Sequence, residues 1–179
     1  MHYDATLLSN NETHINTELG KFAAMFKKGL LALMLIASGC SAMAQYQING
    51  SASQISCNCF QLTPDQQSQS GSVWNVNQIN LSAPFDYTFQ IWLGCSEGGA
   101  DGIAFVLQPL NVNQGGQSSG LGYGGISPSL AIEFDIWPND VTMSDPQADH
   151  IAIMRNGNSN HASTDNLAGP VQASSTSNN

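Results

Sequence analysis

Basic side chains are what this sequence has least of. Its 179 residues include 4 lysines and arginines against 13 aspartates and glutamates, and the formal net charge is −9. Three of the basic residues (Lys21, Lys27 and Lys28) lie near the amino terminus, so the rest of the chain keeps only Arg155. An acidic protein of this kind is repelled by the phosphates of nucleic acids and of anionic membranes. The composition therefore argues against both as partners.

A hydrophobic run long enough to span a bilayer is also missing. Residues 27–44 read KKGLLALMLIASGCSAMA, with a basic start, a short apolar core and a small-x-small ending. This pattern is typical of a secretory signal peptide, and its apolar core falls short of the ~20 residues of a membrane-spanning helix. We therefore expect a leader over residues 1–44, cleavage before Gln45, and one secreted domain over residues 45–179.

Two details of the leader leave alternatives open. Residues 1–24 are polar and unlike a signal peptide, so a translation start at Met25 is one interpretation. Cys40 is a candidate for lipidation, which would anchor the protein to the cell surface instead of releasing it. Ala37 stands where a lipidation motif usually has leucine, so the sequence favours cleavage before Gln45.

Few cysteines are present, and their number in the expected domain is odd. Beyond the leader lie Cys57, Cys59 and Cys95. A disulfide is expected in an oxidising compartment, and one thiol would remain outside it.

Helical periodicity of useful length is absent beyond the leader, whereas strand patterns recur between turn residues. Residues 85–93 alternate between apolar and polar side chains, residues 103–107 are continuously apolar, and residues 73–74 and 79–81 are short apolar islands. This pattern predicts an all-β sandwich. No alternating run is found over residues 156–179, so we expect no strand there.

The most informative stretch is residues 130–137, which alternate with the period of a half-buried strand. Glu133 and Asp135 fall on one face, side by side, and this is costly unless a cation lies between them. Asn139, Asp145 and His150 follow. Carboxylate and amide oxygens suit calcium, and a set that includes one imidazole suits manganese. The alternative interpretation is a solvated sheet face that runs into a polar turn.

The order of residues in this stretch resembles the metal-binding segment of the L-type (legume-type) lectins, most of all that of secreted bacterial members. Glu-Phe-Asp at residues 133–135 is followed by Trp-Pro-Asn, Asp-Pro and His-Ile-Ala-Ile. Gly-Ala-Asp-Gly at residues 99–102 and Gly-Leu-Gly at residues 120–122 match an upstream segment. The resemblance covers roughly residues 59–161.

The resemblance implies a particular fold, the concanavalin-like jelly roll of two antiparallel sheets. Such domains continue with further strands, so we expect the sandwich to be incomplete at the carboxyl terminus, with further domains possible downstream. A disordered natural tail is the alternative. The resemblance also implies a disulfide between Cys59 and Cys95, with Cys57 free or an alternative partner.

By matching motif, the resemblance implies two adjacent metal ions. Manganese or a similar transition metal would be held by Glu133, Asp135, Asp145 and His150. Calcium would be held by Asp135, Asn139, Asp145 and the main-chain carbonyl of Trp137. Asp140 competes with Asp145 as the residue that bridges both ions.

The resemblance also implies a sugar site next to the calcium. Asp101, after a cis peptide bond, would accept hydrogen bonds from sugar hydroxyls. Asn139 would donate one, Trp137 would stack on the ring, and a backbone N–H of Gly120 or Ser119 would complete the set. The alternatives are an ordinary turn residue at Asp101 and a core aromatic at Trp137.

The sequence therefore predicts a non-enzymatic lectin that binds glycans in recognition or adhesion. Glycoside hydrolases of the laminarinase type share the fold and need two catalytic carboxyl groups. Here Pro138 stands where their second glutamate would be, and a proline transfers no proton. An adhesive or structural sandwich that does not bind sugar is the other alternative.

Overall fold

The computed structural model describes residues 45–95, 98–115, 120–139 and 141–173, together with the backbone of one strand in the leader region. The rest of the expected leader, including Cys40, lies outside the described residues. Within them the only helical element is a short 3₁₀ turn, Val141–Met143, and no helix is long and apolar enough to cross a bilayer. The strands are β1 (Ala5–Ser9), β2 (Tyr46–Gly50), β3 (Ser53–Ser56), β4 (Cys59–Thr63), β5 (Gly71–Asn75), β6 (Phe89–Trp92), β7 (Gly102–Leu107), β8 (Leu130–Asp135), β9 (His150–Arg155) and β10 (Asn166–Gln172).

The strands form three antiparallel sheets. One sheet has the order β10-β9-β8-β7, a second has the order β3-β4-β1-β6, and β2 pairs with β5. The predicted all-β class with antiparallel sheets is confirmed.

Aromatic side chains join the first two sheets. Phe89 on β6 stacks on Phe105 of β7, with ring centroids 5.2 Å apart, and meets Phe134 of β8 edge-to-face at 6.4 Å. These contacts form the interior of the sandwich. Farther along the same face, Ile151 and Val171 are 36% and 65% exposed. The described residues therefore cover this face only in part.

The opposite face of β8 and β9 is the more deeply buried one. Ala131, Glu133 and Asp135 are between 0% and 4% exposed, whereas Leu130 on the other face is 36% exposed. Residues 120–126 cover this face, and Tyr123 packs there with Ile126, Ala131, Ala152 and Met154. The interpretation of the Glu133 and Asp135 face as a solvated surface is therefore wrong.

Three strand predictions need correction. The predicted strand over residues 85–93 is formed only at Phe89–Trp92, and residues 79–81 form no strand. Strand β10 lies where none was expected. Its sequence does not alternate, and its pairing with β9 shifts register twice. A proline is compatible with β10 because the strand lies at the edge of its sheet.

The expected disulfide between Cys59 and Cys95 is also wrong, because both are free thiols. Strand β1 lies between β4, which begins at Cys59, and β6, which ends before Cys95. Cys59 pairs with Leu8 of β1, so a strand stands between β4 and β6 in this sheet. The disulfide-bonded cysteine among the described residues is Cys57.

Candidate metal and ligand site

The site lies where three neighbouring strands come together at one end of the sheet. Gly102 of β7 pairs with Asp135 of β8, and Asp135 pairs with His150 of β9. Asp101 immediately precedes this row, and its carbonyl accepts a hydrogen bond from the Ile136 N–H at 3.1 Å. The peptide bond from Ala100 to Asp101 is cis, as the resemblance implies. Strand pairing thus brings the two predicted motifs together.

Gly102 allows this close approach. Its φ is +140°, and a Cβ atom there would lie 2.3 Å from the Phe134 carbonyl oxygen. A side chain at this position would push β7 away from β8 at the point where Asp101 and Asp135 meet.

Carboxylates and imidazoles converge behind this row in the interior. One atom from each of Glu133, His150 and His161 lies within 4.8 Å of the others, and Asp135, Asp145 and His150 form a second such group. His150 belongs to both groups. The side chains of Asp145 and His150 are each 2% exposed, and the His161 side chain is 5% exposed.

Glu133 is held at both of its oxygens. The Tyr123 hydroxyl donates to Oε2 at 2.7 Å, and His161 Nε2 lies 2.5 Å from Oε1. Burial and the neighbouring Glu133 raise the pKa of the Tyr123 hydroxyl. The hydrogen bond to Glu133 is the main cause that raises the pKa of His161. The loop that begins at Gly120 is thereby tied to the carboxylate cluster.

The surroundings of Asp135 disfavour its ionised form. Burial raises its pKa to about 7, and the charges of Asp145, Glu133 and Asp101 act in the same direction. A hydrogen bond from the Trp137 N–H, at 2.9 Å from Oδ1, opposes them in part. A cation bound here would offset this repulsion, because it favours the ionised carboxylates.

The cluster contains buried polar atoms without hydrogen-bond partners, and these show whether a metal ion would fit. Three buried side-chain atoms here have no hydrogen-bond partner: Asp145 Oδ1, His150 Nε2 and His161 Nδ1. Both His150 Nε2 and His161 Nδ1 lie 3.4 Å from Asp145 Oδ1. Buried polar atoms are rarely left unpaired. Metal coordination would satisfy all three, and the oxygen and nitrogen donors suit a transition ion.

The second group of predicted ligands lies on the other side of Asp145. Its Oδ2 accepts a hydrogen bond from the Asn139 N–H at 2.5 Å, while Oδ1 faces the two imidazoles. The Asn139 side-chain amide reaches the Trp137 carbonyl oxygen at 3.3 Å. Asp135, Trp137, Asn139 and Asp145 thus present oxygen donors of the kind that calcium prefers. Asp140, the competing candidate, lies outside the described residues.

The predicted sugar-binding residues border this oxygen-rich side. Asp101 is half-buried, and burial, followed by the charge of Asp145, raises its pKa. Asn139 is also half-buried, and Trp137 is 41% exposed, so Trp137 is not a core aromatic. Gly120 is buried, and its carbonyl accepts hydrogen bonds from the N–H groups of Tyr123 and Gly124. Ser119 lies outside the described residues.

Two residues of the cluster were not predicted from the sequence. Tyr123 lies within a glycine-rich turn, and His161 lies in a loop without periodicity. The only available signal was the residue types themselves, a tyrosine and a histidine close to the two motifs. Neither residue could be assigned to the cluster from the sequence, because each reaches Glu133 only when its loop packs over the sheet.

The family model described as the legume lectin beta-barrel domain, an L-type lectin domain, matches residues 39–179. The chain is also similar to the pesticidal crystal protein Cry22Aa of Bacillus thuringiensis, with 30% identity over 96 residues. This alignment covers 52% of the chain but only 13% of the length of that relative.

Proposed function

The chain belongs to the L-type (legume) lectin domain family, and from this premise we propose that it binds glycans at a site organised by two metal ions. The family is one of carbohydrate-binding lectins. The metal ions, the particular residues and the secretion of the protein are parts of the proposal. Catalysis is not, because Pro138 offers no second carboxyl group at the position where a retaining glycosidase needs one.

One observation carries the proposal: three buried atoms that could bind a metal have no hydrogen-bond partner, and they belong to the cluster beside the strand row that Asp101 precedes. Asp145 Oδ1, His150 Nε2 and His161 Nδ1 lack hydrogen-bond partners, and the charge of Asp145 acts on Asp101. A solvated turn would leave no buried donors of this kind. In a structural sandwich without ligands such a cluster would only destabilise the fold, since each unpaired buried polar atom lowers the free energy of unfolding by about 1–3 kcal/mol.

The two ions would have different donor sets on either side of Asp145. A transition ion such as manganese would be held by Glu133, Asp135, Asp145 and His150. Calcium would be held by Asp135, Asn139, Asp145 and the Trp137 carbonyl. The ions would supply positive charge that compensates the buried carboxylates and fixes the loop after β8.

The sugar would be bound by the residues that this loop and β7 present. Asp101 accepts hydrogen bonds from two hydroxyls, and Asn139 donates to one of them. Trp137, with its exposed ring, packs on the apolar side of the sugar. A backbone N–H of the turn that begins at Gly120 supplies a further donor.

Export of the protein is proposed from the leader. The basic start, apolar core and small-x-small ending of residues 27–44 support cleavage before Gln45, which would remove β1 from between β4 and β6 and leave a mature domain from Gln45 onward. Lipidation at Cys40 would instead hold the domain at the cell surface. In either case the glycan partners would be extracellular, in recognition or adhesion.

The experiment that tests this proposal is a glycan array with the purified protein and four variants, with metal content measured for each. Asp101→Ala removes two hydrogen bonds to the sugar, together worth roughly 3 kcal/mol or more, so binding should fall at least about 100-fold. Its metal content should be retained, because Asp101 is not a proposed ligand. Asp86→Ala is the matched control, since it removes an exposed carboxylate that is neither a proposed metal ligand nor a proposed sugar contact.

The other two variants separate the sugar role from the metal role. Asn139→Ala should lose both glycan binding and calcium, because its side chain serves both. Trp137→Ala should lose glycan binding and keep calcium, because the proposed ligand there is a main-chain carbonyl. An Asp101→Ala protein that binds the same glycans as the parent would place the sugar elsewhere on the domain.

A further inference from the structure

His161, which is not among the ligands predicted from the sequence, lies inside the metal cluster. Its backbone N–H donates to the Met143 carbonyl at 2.9 Å, and its own carbonyl accepts a hydrogen bond from the Asn166 side chain at 2.9 Å. Only 5% of the side chain is exposed. The backbone of His161 is therefore fixed by hydrogen bonds at its amide and at its carbonyl.

One ring nitrogen of His161 is already engaged. Nε2 lies 2.5 Å from Glu133 Oε1. A histidine N–H this close to a carboxylate forms a charge-assisted hydrogen bond, and the distance is short for two donors on the same ion. A proton on Nε2 leaves the lone pair of the neutral ring on Nδ1, and this is the form in which imidazole binds metals.

The other nitrogen is directed at the point where the unpaired donors meet. His161 Nδ1 and His150 Nε2 each lie 3.4 Å from Asp145 Oδ1, and the two rings are 4.9 Å apart at an interplanar angle of 77°. Two ligands bonded at about 2.1 Å to one ion, at a tetrahedral angle, stand about 3.4 Å from each other. The observed separations fit donors of a common ion.

We propose that His161 is a direct ligand of the transition-metal ion through Nδ1, and that two imidazoles together determine which ion the site selects. The inference rests on the proposed function, because it refines the same two-ion site. In this refinement Glu133 leaves the set of direct ligands of that ion: its Oε1 accepts the hydrogen bond from Nε2 and so fixes the orientation of the ring, as carboxylates behind metal-bound histidines do. Tyr123 holds the other oxygen of Glu133.

The second imidazole changes the expected ion. Oxygen donors with a single imidazole suit manganese, whereas imidazole donors suit zinc, nickel and copper, and affinity increases along the series from manganese toward them. The site should therefore prefer zinc over manganese. The calcium side should be unaffected, because all of its proposed donors are oxygens.

The test measures this preference in metal-free protein supplied with equal concentrations of Zn²⁺ and Mn²⁺, with the bound metals quantified by mass spectrometry. His161→Asn removes the imidazole and keeps a polar side chain. It should weaken zinc binding by roughly 10–100-fold, at least as much as the loss of an outer-shell partner, and so lower the zinc-to-manganese ratio. Asn160→Ala is the control: it loosens the same loop, whose Asn160 side chain donates to the Thr142 carbonyl at 3.3 Å, and should keep the parental ratio.

His150→Asn separates failure of the inference from failure of the proposed function. If the parent binds neither ion, or if His150→Asn binds them as the parent does, the two-ion site itself is wrong. If His150→Asn loses the transition ion and His161→Asn keeps the parental zinc-to-manganese ratio, only the role of His161 is wrong.

A spectroscopic measurement on the unsubstituted protein covers the case in which His161→Asn does not fold. With one equivalent of Cu²⁺ bound, pulsed electron paramagnetic resonance counts the coordinated imidazoles through the modulation from their nitrogens. Two imidazoles in the parent and one in His150→Asn are expected. A single imidazole in the parent overturns the inference.

Discussion

The hydroxyl of Tyr123 connects the glycine-rich turn to the metal cluster, and its removal gives a quantitative prediction. The hydroxyl donates to Glu133 Oε2 at 2.7 Å, and both side chains are 1% exposed. Tyr123→Phe keeps the ring in the core cluster with Ile126 and Met154 but removes this donor from a buried carboxylate. A hydrogen bond to a charged group contributes roughly 1.5–3 kcal/mol. For a domain of this size the melting temperature should fall by about 3–12 °C.

The assay is thermal unfolding followed by circular dichroism at pH 7, with metal removed. Tyr87→Phe is the matched control, because Tyr87 is 43% exposed and lies away from Glu133. It should alter stability by no more than about 0.5 kcal/mol. The same Tyr123→Phe variant should bind the transition ion about 10–100-fold more weakly, because Glu133 loses the partner that orients it.

A Tyr123→Phe protein that melts within about 1 °C of the parent and binds metal equally well would contradict the proposed role of the hydroxyl. Such a result would mean that Glu133 finds another donor at no cost, and that the turn at Gly120 is not coupled to the cluster through this side chain.

Three further predictions concern metal, pH and catalysis. Chelation should lower the melting temperature, and calcium with a transition ion should restore it, because ions that bind only the folded state stabilise it; an unchanged melting curve would contradict the two-ion site. In the metal-free protein the pKa of Asp135 is raised from 3.8 to about 7. The folded state is therefore stabilised by protonated Asp135, fully below about pH 4. This stabilisation is lost as the pH rises through about 7, a change in the free energy of unfolding of about 4 kcal/mol. Melting temperatures of the metal-free protein should decline from pH 5 to pH 8, and Asp135→Asn should flatten this decline. Incubation with β-glucans should release no reducing ends; release that Glu133→Gln abolishes would identify a hydrolase instead.

The parts of the fold that the sequence predicts correctly are those that depend on neighbouring residues. Alternation over residues 130–137 is a property of a single strand, and it predicts both β8 and the pairing of Glu133 with Asp135 on one face. The apolar run at residues 103–107 predicts β7 for the same reason. Strand β10 could not be predicted in this way, because its sequence does not alternate and its pairing with β9 shifts register twice.

The pattern of neighbouring residues also does not predict which face of a strand another element covers. The alternation of β8 separates two faces but carries no information on which of them is buried. That is decided by the turn over residues 120–126, which packs Tyr123 and Ile126 against Ala131. The separation of Cys59 from Cys95 is of the same kind, because it depends on β1 lying between β4 and β6.

For the candidate site, the residue types could be read from the sequence: carboxylates, an amide and an imidazole in the order of the motif that the chain resembles, with Asp101 in a second motif. Their geometry depends on tertiary contacts. His161 reaches Glu133 across 28 residues of chain, and Tyr123 reaches it across 10. Both contacts form because separate loops fold over the same buried face of β8. No periodicity within either loop encodes that meeting, since it depends on the packing of the loops against the sheet.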